Sequence, residues 1–225
     1  LAALAGPIRE NQLRWRLAPN ARERYPSDIR DLQSYFRKLE AGQLVCAVPG
    51  NGLKVLLWLL GSSTFAAIEA GQLGLPFAFA TQFAPRSVGS ALESYRLHFR
   101  PSDALDHPYT MVSVFVIAAD TEDMAHYVFS SVQFTLIDCV RGNSLPLQRP
   151  IRNLEAVSTE KERLSLERFL PLPIVGSRET VFHGLDRVLA ETAADELMVL
   201  TPVYDQTARY RSFEILSEHS AFALG

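Results

Sequence analysis

Apolar positions in this chain fall into continuous blocks separated by stripes at helical spacing. Val55 to Leu60 is unbroken, the small turn Gly61-Ser62-Ser63-Thr64 follows, then the alanine-rich Ala66 to Ala70, then a second apolar run from Pro76 to Ala80. Runs this continuous fit strands buried on both faces, as in a parallel sheet with helical crossovers. They predict strands over 55–60 and 77–81 around a helix over 63–73. Beyond Pro85, the residues Val88, Leu92, Tyr95 and Phe99 recur at i, i+4, i+7 and i+11 and predict a core-packed helix that stops before Pro101. Met111 to Ala119 reads as a third strand, and Asp120 and Thr121 cap the helix after it, with Glu122 and Asp123 complementing its dipole. Residues 141–153, with Gly142, Asn143, Pro146 and Pro150, read as a long surface loop. Thr159 and Glu162 form a capping box for a helix to Leu170. Gly176-Ser177 opens another helix, and Glu196 to Thr201 is a fourth strand leading into a final helix. Upstream, Ser27 precedes the stripe Ile29, Leu32, Tyr35, Phe36, with Asp28 and Asp31 in its first turn, so a helix is expected to begin there.

Repeated strand-then-helix units predict an α/β fold with a parallel sheet. The length of 225 residues suits one domain, residues 1–225. Only four strands are legible, however, where a closed (β/α)8 barrel has eight. Composition narrows the partners. With 22 basic against 25 acidic residues the net charge is −3, so no global field favours nucleic acid or an anionic membrane. Val55 to Leu60 is far too short to span a bilayer. Cys46 and Cys139 form no ligand spacing, and two cysteines point to a reduced, cytoplasmic protein. The five histidines are scattered without i, i+4 pairs, so no metal is expected. The chain opens on Leu1-Ala2-Ala3-Leu4-Ala5-Gly6 without the basic segment of a secretion signal, and reads as the interior of a longer chain. Tyr204, Asp205 and Arg209 read as an ion pair or loop anchor past the last strand, and Trp58 as filler within its strand.

Several stretches carry a resemblance: Trp58-Leu59-Leu60-Gly61-Ser62-Ser63, Leu73 to Ala80, Phe83-Ala84-Pro85, Phe99-Arg100-Pro101-Ser102, Ile117 to Asp120, Ala194 to Val199, and Tyr204-Asp205 with Ser212-Phe213-Glu214. In this order the chain resembles the luciferase-like flavin-dependent monooxygenases from about Tyr25 to its end. The resemblance implies a partial TIM barrel lacking its first three or four strands. It also implies reduced FMN supplied by a separate reductase, dioxygen and a small organic substrate as reaction partners, and a family homodimer. By the same resemblance the FMN phosphate sits at Gly61, Ser62, Ser63 and Thr64. General chemistry agrees, since N–H groups opening a helix favour phosphate; plain helix capping by Ser62 or Ser63 is the alternative. The rule for barrels at large puts phosphate after strands seven and eight, so this placement rests on the family. Thr81-Gln82-Phe83 stands where relatives carry Ser-His-Phe, beside the flavin ring. Glutamine does not change charge near neutral pH, so Gln82 is expected to donate a hydrogen bond or form a polar rim. No catalytic residue is assigned, because flavin chemistry needs no triad. Gly176-Ser177 is a second helix start, read as capping rather than an anion site. The rival to an enzyme is a truncated remnant or flavin binder without turnover.

Overall fold

The computed structural model describes residues 21–39, 41–42, 45–170 and 173–222, and the opening stretch 1–20 lies outside them. Helix α1 spans Ala21–Phe36 and is followed by β1 (Leu59–Gly61), α2 (Thr64–Gln72), β2 (Phe77–Phe79), α3 (Val88–His98) and β3 (Thr110–Ala118). Then come α4 (Glu122–Val140), α5 (Glu160–Phe169), β4 (Ile174–Gly176), α6 (Arg178–Thr192), β5 (Glu196–Leu200) and α7 (Gln206–Ser217). Every strand pairing is parallel. β1 pairs with β2, and β2 with β3. Met111 and Val112 of β3 pair with β2 on one side and with β5 on the other, so β1-β2-β3-β5 is one arc. The α/β class and the partial-barrel architecture expected from the sequence are both present.

Side-chain alternation decides which face is covered. Leu59, Phe77, Phe79, Val112, Val114 and Val116 point into one core, built with Ala67 and Ala70 of α2, Leu92 and Tyr95 of α3, Leu185 of α6 and Ile215 of α7. The opposite face is closed at the far end of β3, where Ile117 meets Val128, Phe129 and Ile137 of α4 and Leu166 of α5. Over β1 and β5 that face is open: Leu60 is 67% exposed and Met198 49%. β1 and β5 are also the arc's two edges.

The structure corrects the sequence expectations at several places. The strand expected over 55–60 is reduced to Leu59–Gly61, with Val55 and Leu56 exposed. Among the described residues no strand or helix covers the open side of this run, so it does not become a doubly buried strand. Helix α1 begins at Ala21 rather than beside Ser27, and carries Pro26 inside it; the Ser27 hydroxyl donates to the Arg24 carbonyl at 2.7 Å instead of capping. β4 is a strand that the sequence pattern did not show, pairing Ile174 to Gly176 with Val116 to Ala118. Trp58 precedes β1 rather than lying in it, and its ring packs edge-on against Tyr109 at 5.7 Å.

The amino ends of the strands form a tied rim. Asp195 accepts from both the N–H and the hydroxyl of Thr110, at 2.7 and 3.0 Å, and Tyr109 donates to Glu196 at 2.9 Å. The fully buried Tyr95 donates to the Leu75 carbonyl at 3.0 Å and accepts from the Tyr109 N–H at 3.1 Å. Burial holds its hydroxyl above the usual tyrosine range. This end of a barrel serves stability, and ligands belong at the other.

Candidate functional site

At the carboxyl end of β1, backbone geometry brings a helix start close to the sheet. A Cβ on Gly61 would lie 2.4 Å from the Cβ of Ala66, so only glycine lets the first turn of α2 come this near. Ser63 is the cap residue in extended geometry, and its hydroxyl accepts from the Ala66 N–H at 3.4 Å, longer than an ordinary bond of this kind. The expected capping role is therefore real but loose. The Ser62 and Thr64 hydroxyls make no hydrogen bond among the described residues; Ser62 is half-buried, while Ser63 and Thr64 are exposed. The ring of Tyr25 in α1 lies 6.1 Å from that of Phe65, which seats α1 beside this turn.

The other helix starts show how this one differs. The first turn of α2 contains no acidic residue. α4 carries Glu122 and Asp123 in its first turn, and α7 is capped by Asp205, which accepts from the Ala208 N–H at 2.8 Å. α3 continues a 3-10 turn over Pro85–Ser87, which already engages the backbone there. At α6, Ser177 makes no side-chain cap; the Glu122 carboxylate takes that place, accepting from the Ser177 N–H at 2.9 Å and from the Thr180 hydroxyl. The Thr180 bond, then those from Ser177, lower the Glu122 pKa. Gly176 makes room for this, since a Cβ there would lie 2.7 Å from the carboxylate. The second helix start weighed in the sequence thus holds an anion of the chain's own. Among the described residues, no side-chain carboxylate takes the equivalent place in the first turn of α2.

β2 ends beside β1, where the Ala80 N–H donates to the Gly61 carbonyl at 2.9 Å. The turn that follows folds over β3. The Thr81 N–H donates to the Ser113 hydroxyl at 3.0 Å, the Thr81 hydroxyl reaches the Ser113 carbonyl, and the Ser113 hydroxyl reaches the amide oxygen of Gln82. Phe83, next in the chain, is 60% exposed. The six residues singled out in the sequence therefore lie at the carboxyl ends of two adjacent strands. Ser113 joins them and was missed, because its contact depends on strand register rather than on any local motif.

Past β5, the loop-anchor reading of Tyr204 holds: its hydroxyl meets Arg149 of the 141–153 loop at 3.2 Å. The ion pair between Asp205 and Arg209 is absent, because Asp205 is occupied as a cap and Arg209 turns to Gln206. A 180 Å³ cavity lies beside this helix start, lined by Ala118, Met124, Val128, Asp205, Ala208 and Arg211, among others. Its one cation, Arg211, is matched by Asp120 at 2.7 Å and Glu214 at 3.0 Å. Among the described residues no cluster of His, Cys, Asp or Glu could hold a metal ion, and no helix is long and apolar enough to cross a membrane.

No family model matches the chain. A protein of Escherichia coli (strain K12) described as "Luciferase-like monooxygenase" is 39% identical over 203 residues, which are 90% of this chain and 61% of that relative. "Uncharacterized protein YvbT" of Bacillus subtilis (strain 168) is 40% identical over 200 residues, 88% of this chain and 60% of the relative. The chain spans about three-fifths of the length of these relatives. Among solved structures, apo-MsnO8 matches with a TM-score of 0.79 at 29% identity, over 95% of this chain and 64% of that one. The oxygenating constituent of 3,6-diketocamphane monooxygenase from Pseudomonas putida, solved in complex with FMN, shares the fold. Its TM-score is 0.53 at 18% identity, over 82% of this chain and 53% of that one.

Proposed function

We propose, for a chain that belongs to the luciferase-like monooxygenase family over 90% of its own length, that the ends of β1 and β2 hold flavin mononucleotide. The first turn of α2, with Ser62, Ser63 and Thr64, takes the phosphate, and Thr81 and Gln82 border the ring. The observation that carries this reading is the close approach of a carboxylate-free helix start to the β1 end across Gly61. It supplies N–H groups and a positive dipole end for a phosphate dianion, and two unengaged hydroxyls add donors. The bound flavin, once reduced by a separate reductase, supplies the chemistry of oxygen insertion into a small organic substrate.

The chain's own residues bind and orient. Gly61 sets the distance between strand and helix, and the hydroxyl turn fixes the phosphate. Gln82 offers hydrogen bonds without taking up a proton near neutral pH, so it orients the ring rather than acting as an acid or base. The exposed Phe83 supplies an apolar surface that limits water beside the ring. Two thiols without a disulfide support work in the reducing cytoplasm.

Titration of the protein with FMN and, separately, with riboflavin isolates the phosphate. FMN is expected to bind more tightly than riboflavin, and a Ser62→Ala, Ser63→Ala double variant to lose most of that difference. Equal affinity for the two ligands, or an unchanged preference in the double variant, removes the assignment. A second reading, flavin binding without turnover, is favoured by the open face over Leu60 and Met198, which leaves that side of the site to water. Oxygen uptake with a flavin reductase, compared with that of free reduced flavin, decides between the two.

A further inference from the structure

We propose that Ser113 is a positioning residue, whose hydroxyl holds the carbonyl end of the Gln82 amide so that its Nε2 donors face an acceptor atom of the flavin ring. This rests on the flavin reading above. Ser113 stands on β3, 8% exposed, 31 positions from Gln82 in sequence. The register pairs Ala78 with Met111 and Phe79 with Val112, so the turn after β2 passes over Ser113. A serine hydroxyl has one proton and two lone pairs. The Thr81 N–H, at 3.0 Å, takes one lone pair. The Phe79 carbonyl lies 3.3 Å away, beyond the ordinary O–H···O range, so the proton goes to the nearer Gln82 Oε1.

With its oxygen committed, Gln82 has a donor end left over. Its Nε2 makes no hydrogen bond among the described residues, and the half-buried side chain lies against Ser113 of β3, just past the carboxyl end of β2. A neutral pair of donors at this place suits a carbonyl oxygen of a flat, uncharged heterocycle, which is what the flavin ring presents. Ser113 therefore acts through Gln82, and neither is replaceable by a side chain of the same size without its polar end.

The test compares wild type, Ser113→Ala, Ser113→Thr, Gln82→Ala and the Ser113→Ala, Gln82→Ala double variant. In NMR spectra of the flavin-free protein, the Gln82 side-chain NH2 signals are expected to be well dispersed. They should collapse to solvent-exposed positions in Ser113→Ala and return in Ser113→Thr. FMN titration is expected to show Ser113→Ala and Gln82→Ala each binding roughly five- to tenfold more weakly, the worth of one hydrogen bond. The double variant should bind no more weakly than Gln82→Ala alone. Gln82 signals indifferent to Ser113→Ala, or losses that multiply in the double variant, overturn the positioning role. Ser113-dependent Gln82 signals in a protein that binds no FMN overturn the flavin half and keep the positioning half.

Discussion

A methyl group added at Gly61 puts the strand-to-helix contact under a direct load. The new Cβ would lie 2.4 Å from the Cβ of Ala66, whereas carbon atoms rest at about 3.5–4.0 Å. The start of α2 must then withdraw by roughly 1 Å or more, the difference between those distances. Phe77 is also within 3.6 Å of that Cβ, so rotation away from the helix meets the core. Overpacking of this kind costs about 1–3 kcal/mol, and Gly61→Ala should lower the urea midpoint accordingly. Ala66→Gly alone removes a methyl and weakens the helix, at about 1 kcal/mol. Combined, the two changes exchange the methyl from one side of the contact to the other, so the double variant should be more stable than the sum of the singles by at least about 1 kcal/mol, well outside ordinary additivity. The same retreat carries the first-turn N–H groups of α2 away from the strand end, so Gly61→Ala should bind FMN more weakly, with Ala66→Gly restoring part of the loss. A neutral Gly61→Ala, or strictly additive stabilities, would refute the close approach on which the phosphate assignment depends.

Two further predictions concern the framework. Tyr95→Phe strands the Tyr109 N–H and the Leu75 carbonyl in a buried place; denaturant melts should show a loss of about 1–3 kcal/mol, the penalty for buried polar groups without partners. Glu162 is held at about 2, below its ordinary 4.5, first by the Arg141 guanidinium and then by the Thr159 N–H. A depressed carboxylate stabilises the fold above its unfolded pKa, and that contribution disappears as pH falls from about 4.5 to about 2. Glu162→Gln should therefore flatten part of the pH dependence of stability in that window, as measured by unfolding midpoints at pH 6 and pH 3; parallel profiles for the two proteins would contradict the pairing.

What the sequence revealed, and what it hid, follows from how far each signal reaches. The caps at Thr121, Thr159 and Asp205 are contacts over three residues, and two were legible as such: Thr121 accepts from Met124 at 3.2 Å, and Thr159 forms the full capping box with Glu162. Asp205, read instead as part of an ion pair or loop anchor, shows that a carboxylate before a helix engages the nearer N–H groups first. The long strand β3 was visible because both of its faces are apolar over much of its length. β4 was not, because three residues between Pro173 and Ser177 are too few to show a period. The start of α1 was misplaced because Ser27 with Asp28 and Asp31 after it matched a cap and an acidic first turn, whereas the helix already runs through Pro26, which removes only one N–H bond. The hydroxyl turn after β1 was legible because its residues are consecutive. Ser113 was not: it meets Thr81 and Gln82 only through the pairing of β2 with β3.

Amide hydrogen exchange, followed residue by residue with and without FMN, tests the central assignment most directly. FMN is expected to slow exchange at Ser63, Thr64 and Phe65, in the first turn of α2, and at Thr81 and Gln82 beside β2, while the starts of α6 and α7, already capped by Glu122 and Asp205, are unchanged. Protection at α6 or α7 with none at residues 63–65 would place the phosphate elsewhere and contradict it.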